Sequence, residues 1–82
     1  MPKVPTDLVG YVYDWLADDL AARIASGDLP IRTALPNERR LADEYGVSLG
    51  TTRRAVEILR KRGLVTTIRS KGTFVVQRET RR

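Results

Sequence analysis

The feature that most constrains this chain is a three-residue interruption, Gly46-Val47-Ser48, between two short stretches of helical periodicity. Before it, Leu41, Ala42 and Tyr45 line one helical face; after it, Ala55, Val56 and Leu59 line another. Asn37, which follows Pro36, is placed to cap the first helix, and Ser48 to cap the second. Each carries a side-chain oxygen able to accept one of the N–H groups that a helix start leaves without a partner. Gly46 supplies the positive φ that ends one helix and redirects the chain sharply, and Val47 plugs the angle between the two. Two helices joined by a three-residue turn containing Gly predict a helix-turn-helix, its second helix running over residues 48–62 and ending at Gly63.

The flanks complete a fold around that pair. Upstream, Thr6 or Asp7 is placed to cap a longer helix in which Tyr13, Leu16, Leu20 and Ile24 recur at spacings of three and four. Val9 and Val12 extend this stripe, Asp14, Asp18 and Asp19 lie on the outer face, and Gly27 ends the helix. In the loop from Asp28 to Pro36, Leu29, Ile31 and Leu35 pin the chain, or a short edge strand within it, to the core. Downstream, 64–69 and 73–77 read as strands on either side of the turn Ser70-Lys71-Gly72. A lone hairpin is marginal in water, so this one must pack on the helices. Residues 1–6 read as a flexible arm and 78–82 as a charged tail. The prediction for 7–77 is a mainly α fold of three helices plus a two-stranded antiparallel wing, a winged helix-turn-helix.

Composition narrows what such a fold can do. At 82 residues the chain holds one domain. It contains no Cys and no His, which excludes disulfides, thiolate or imidazole metal sites, and Ser-His-Asp or Cys-His catalysis. The acidic residues are scattered and there is no Gly-rich phosphate loop, so neither an enzyme nor a cofactor is expected. Apolar runs are two or three residues long, too short to span a bilayer, and Met1-Pro2-Lys3-Val4-Pro5 lacks the apolar stretch of a signal peptide. The expected location is the cytoplasm, at the nucleoid. The net charge of +5 is unevenly spread: residues 1–36 balance at −2 and residues 37–82 at +7. A basic half on a small domain points to a polyanion, nucleic acid being the commonest.

The basic groups gather at the start of the third helix and the tip of the hairpin. A recognition helix presents its N-terminal residues to base edges in the major groove; here these are Ser48, Leu49, Gly50, Thr51, Thr52, Arg53 and Arg54. Hydroxyls and a helix start suit phosphates, Arg suits guanine, and Gly50 leaves room for close backbone approach. At these residues the chain resembles a known family. The segments 35–42 (LPNERRLA), 45–48 (YGVS), 51–55 (TTRRA) and 63–65 (GLV), with 24–29 (IASGDL) and 71–75 (KGTFV) at the two ends, are similar to the N-terminal winged helix-turn-helix of GntR-type bacterial transcription regulators. The resemblance covers roughly residues 8–76. It implies that Arg39 grips DNA, with Arg40 beside it, that Ser48 through Arg53 read the groove, and that the wing, with Arg69, Lys71, Gly72 and Thr73, enters the minor groove. The chain departs from the family pattern at Leu49, where Arg is usual; at Ser70, where the wing's Gly-x-Gly-Thr has its first Gly; and at Pro30-Ile31-Arg32, where Pro-Pro-Gly is usual. The 82 residues end after the wing, where such regulators continue into a C-terminal domain that binds a metabolite and dimerises; an excised domain and a natural minimal protein both fit that length.

The expected function is sequence-specific binding of double-stranded DNA by a transcriptional repressor. Two copies would meet on a palindromic operator, the free chain being a monomer or weak dimer because Val4, Tyr11 and Trp15 offer little spare apolar surface. The alternative is a winged helix that binds protein partners, against which the basic recognition helix and wing argue. Single-strand binding wants exposed aromatics, and of five aromatic residues Tyr13, Tyr45 and Phe74 are assigned to the core. Individual residues have competing roles: solvated helix charges for Arg39 and Arg40, plain helix-start residues for Thr51 and Thr52, and an ion pair with Glu57 for Arg53. Arg60, Lys61 and Arg62 read as compensation of the helix dipole, and Trp15 as a core edge or self-contact surface.

Overall fold

The computed structural model describes residues 12–77, so the predicted arm, its helix cap at Thr6 or Asp7, Val9 and the tail lie outside the described residues. Three helices precede a hairpin: α1 (Val12–Ser26), α2 (Glu38–Tyr45), α3 (Leu49–Lys61), β1 (Val65–Ile68) and β2 (Gly72–Val75). Both predicted caps form. Asn37 Oδ1 accepts the Arg40 N–H at 2.8 Å, and Ser48 Oγ accepts the Thr51 N–H at 3.0 Å. Gly46 has φ 67° and the Val47 N–H turns back to the Ala42 carbonyl at 3.0 Å, closing α2 before the chain enters α3.

The core is built from one stripe per element. Leu16, Leu20 and Ile24 of α1, Leu41 and Tyr45 of α2, Ala55, Val56 and Leu59 of α3, and Leu64, Val65 and Val75 of the hairpin form a single buried cluster, against which Trp15 and Val47 pack partly buried. The small Ala17, Ala21 and Ala55 in the same cluster allow close approach between helices. Tyr13 and Phe74, assigned to the core from the sequence, are only half-buried at its edge. No helix among the described residues is long and apolar enough to cross a membrane.

The hairpin pairs antiparallel, Val65 opposite Val75 through Ile68 opposite Gly72, each strand a residue or two shorter than predicted. The loop before α2 joins it: Ala34 bridges Phe74, Leu35 N–H donates to the Thr73 carbonyl at 2.8 Å, and Val75 N–H donates to the Thr33 carbonyl at 2.9 Å. The expected edge strand is thus a single bridge laid on β2. Leu29 and Leu35 are buried as predicted, but Ile31 is 36% exposed and pins nothing; it sits on the turn Pro30–Thr33, whose geometry points it outward.

A polar seam ties α1 to α2. Tyr45 Oη donates to Asp19 Oδ2 at 2.6 Å and accepts from Arg23 Nη1 at 3.1 Å, while Arg23 Nε donates to Asp28 Oδ2 at 2.7 Å. Asp19 therefore faces this seam rather than the outer face predicted for it. Asp18 does lie outside, where it pairs with Arg62 past the end of α3 at 2.7 Å. Burial, reinforced by the hydrogen bond to Asp19, pushes the Tyr45 phenol up to about 12 against the hydrogen bond from Arg23, which lowers it. Burial disfavours the charged Arg23 guanidinium, but its bonds to Asp28 and Tyr45 outweigh this and its pKa is raised.

Tyr45→Phe removes two hydrogen bonds and is expected to cost about 1–2 kcal/mol near neutral pH. Because the folded phenol titrates near 12 and an unfolded one near 10, its contribution is complete below about pH 10 and is lost as pH rises through 12. Urea unfolding of both proteins from pH 9 to 12 checks this: the wild-type advantage should shrink across that window, and an advantage independent of pH would refute the assignment.

Candidate nucleic-acid interface

The first two turns of α3 sort their side chains by helical phase. Thr52 shares a face with Ala55, Val56 and Leu59, and it is fully buried, its hydroxyl donating to the Ser48 carbonyl at 3.1 Å. This corrects its placement among the groove-reading residues: Thr52 supports the start of the helix from inside. The Thr51 hydroxyl accepts from Ser48 Oγ at 2.9 Å and is half-buried. Arg54 turns toward α1, its guanidinium 4.6 Å from the centre of the Tyr13 ring, away from the face that holds Arg53.

Arg53 does not take the Glu57 partner open to it on its own helix. Its Nε donates to Glu38 Oε1 of α2 at 3.2 Å, a pair with side chains 63% and 39% exposed. Such an exposed pair adds under about 1 kcal/mol to stability, so its main effect is to orient the guanidinium. Among the described residues, a Cβ at Gly50 would meet only Ser48 Oγ, at an ordinary 3.9 Å. On α2, Arg39 is exposed and Arg40 pairs with Glu44 at 3.5 Å one turn on.

Two recesses relate these residues in space. One, of about 360 Å³, is lined by Asn37, Glu38, Arg39, Leu49 and Arg53. The other, of about 500 Å³, runs from Leu35, Asn37 and Glu38 past Val56 to the wing at Lys71, Gly72 and Thr73. Asn37 and Glu38 belong to both, so the start of α2 sits between the first turn of α3 and the wing tip. Arg39 and Arg53 line the first recess and Lys71 the second; Arg54 and Thr52 line neither.

The wing is fixed by hydroxyls. Arg60 Nη1 donates to Thr67 Oγ1 at 3.0 Å, and the Thr67 and Thr73 hydroxyls pair at 3.0 Å across the strands. Arg60 and Arg62, read from the sequence as dipole compensation, thus have specific partners on the wing and on α1. At the tip, the Lys71 N–H closes a turn onto the Ile68 carbonyl at 2.9 Å, leaving Arg69, Ser70 and Lys71 exposed.

Residues 12–75 match the family model for bacterial regulatory proteins of the gntR family. The chain belongs to the GntR family. It is 38% identical over 61 residues to the HTH-type transcriptional regulator TreR of Bacillus subtilis (strain 168), covering 74% of this chain and 26% of TreR. It is 34% identical over 64 residues to the HTH-type transcriptional repressor NagR of the same organism, covering 78% of this chain and 26% of NagR. The chain spans about a quarter of the length of these curated relatives. Among solved structures, AraR(DBD) in complex with operator ORX1 superposes with a TM-score of 0.74 at 30% identity, covering 78% of this chain and 77% of that one.

Against the GntR pattern, the two loop departures have a common backbone basis. Arg32 and Ser70 are the described non-glycine residues with positive φ, at 75° and 71°. Each is the third residue of a four-residue turn, closed from Thr33 N–H to Pro30 in one case and from Lys71 N–H to Ile68 in the other. That position takes Gly most easily, and a side chain there costs about 1 kcal/mol or more. The turns keep the glycine conformation without the glycine.

Ser70→Gly is therefore expected to stabilise the domain by about 0.5–1 kcal/mol, raising the thermal midpoint by about 3–6 °C, whereas Ser70→Val should lower it. Thermal unfolding followed by circular dichroism checks both. A Gly variant no more stable than wild type would show that the turn carries no strain.

Proposed function

We propose that this GntR-family chain is the DNA-reading module of a transcriptional repressor, binding a specific double-stranded operator in the cytoplasm. The observation that carries the reading is the pair of recesses that meet at Asn37 and Glu38, one lined by Arg39 and Arg53 and the other by Lys71, so that basic side chains from three separate elements flank the start of α2. AraR(DBD), of the same fold, is described in complex with operator DNA. In this reading α3 enters the major groove, with Ser48, Gly50, Thr51 and Arg53 at the base edges and phosphates. Arg39 and Arg40 approach the backbone from α2, and Arg69, Lys71, Gly72 and Thr73 carry the wing into the adjacent minor groove. Thr52 acts from within, and Arg54 lies to one side through its contact with Tyr13.

On binding, Arg53 exchanges or shares Glu38 for a base edge, so it arrives oriented rather than as a free rotor. Two copies of the module occupy a two-fold symmetric operator. The half-buried Trp15, edge-on to the Tyr45 ring with centroids 5.8 Å apart, is engaged within its own chain, which supports a monomer or weak dimer before DNA is bound. Selection of bound duplexes from a random pool tests the whole reading: the recovered sites should share a motif with two-fold symmetry, and a pool that yields no enriched motif would overturn it.

Three narrower outcomes follow from the placement of individual residues. Arg53→Ala should lower affinity for the selected duplex by about 1–3 kcal/mol and relax base preference at one position per half-site, while Thr52→Val leaves discrimination unchanged. Equal loss on matched and mismatched duplexes would reassign Arg53 to phosphate contact. Lys71→Ala should weaken every duplex alike and make the log–log salt dependence shallower by about one unit; an unchanged slope would remove the wing from the interface. Sedimentation at micromolar concentration should show a free monomer or weak dimer and two copies on a full palindrome; a tight dimer without DNA would refute that assembly.

A further inference from the structure

One apolar side chain at the proposed interface stands outside the core cluster. This is Leu49, the first residue of α3, which is half-buried. It lines the recess that also holds Arg39 and Arg53. Around it, Thr52 is committed to the core and Arg54 to Tyr13, Gly50 adds no side chain, and Ser48 and Thr51 carry hydroxyls, which are polar. Leu49 and Arg53 are four residues apart, so they stand on the same side of the helix, one turn above the other.

A leucine can neither donate nor accept a hydrogen bond, so it distinguishes no polar base edge. The one apolar group that the four base pairs display in the major groove is the C5 methyl of thymine. Resting on the DNA-binding reading above, we infer that Leu49 is a specificity residue that packs on a thymine methyl in each half-site. Four residues of helix rise about 6 Å, against about 3.4 Å between stacked base pairs, which puts this thymine within two base pairs of the one that Arg53 contacts.

The test uses the 82-residue chain and the duplex enriched from a random pool. Each thymine of a half-site is replaced in turn by deoxyuridine, which differs only by the missing C5 methyl. For wild type, one replacement near the Arg53-dependent position should weaken binding about fourfold, the factor expected from removing one buried methyl-sized group. In Leu49→Ala, the same replacement should have no effect, which separates the Leu49–methyl contact from any change in the DNA itself. An enriched duplex whose uracil replacements are all harmless, or equally harmful to wild type and Leu49→Ala, would overturn the inference and leave the DNA-binding reading intact. Failure to enrich any duplex would overturn both.

Discussion

The burial of one face of α3 is the constraint on which the rest of this domain depends. Thr52, Ala55, Val56 and Leu59 leave water together, against α1 on one side and α2 on the other, and the chain then passes directly through Leu64 and Val65 into the hairpin. Each large side chain buried in this way contributes about 1.5–3 kcal/mol, which for so small a domain is a sizeable fraction of the total stability. Because that face is fixed, the opposite face is fixed too. Gly50 and Arg53 are presented outward by the same packing that hides Thr52 and Val56, with Leu49 half-buried at the border between the two faces.

Polar contacts refine this arrangement rather than create it. The Asp19–Tyr45–Arg23–Asp28 chain joins α1, α2 and the following loop with directional bonds, one member of which is a buried ring also packed edge-on against Trp15. Its bonds are worth about a kilocalorie or so each, less than the apolar burial beside them, but they tolerate a narrower range of helix–helix angles. Asp18 to Arg62 and Arg60 to Thr67 are exposed and weaker still, and they act at the two sides of the far end of α3.

What could be read from the sequence was local. The caps at Asn37 and Ser48, the break at Gly46 and the apolar stripes depend on residues within one or two turns of each other, so their signals survive in the linear chain. The pairing of Asp19 with Tyr45 spans 26 residues, and that of Arg53 with Glu38 spans 15, and nothing local distinguishes those partners from others of the same charge. Glu57 was the obvious neighbour for Arg53 by helical spacing, yet the approach of α2 supplies a different carboxylate. Thr52 is another matter. Its spacing of three, four and seven to Ala55, Val56 and Leu59 marks it as a core position, and its hydroxyl obscured that signal. Ile31 failed the other way, its apolar character outweighed by a turn that directs it to solvent.

The hydroxyl strut of Arg60, Thr67 and Thr73 separates two properties of the wing that would otherwise vary together. It clasps the strands to the end of α3 below the tip, so the bearing of the hairpin relative to the helix is set there. Residues 69–71 lie beyond the clasp and make no part of it. Lengthening or shortening that tip changes how far the wing extends without rotating its base. A domain built this way can be refitted to surfaces of different depth by editing a few residues at one turn, while the hinge line and everything behind it stay as they are.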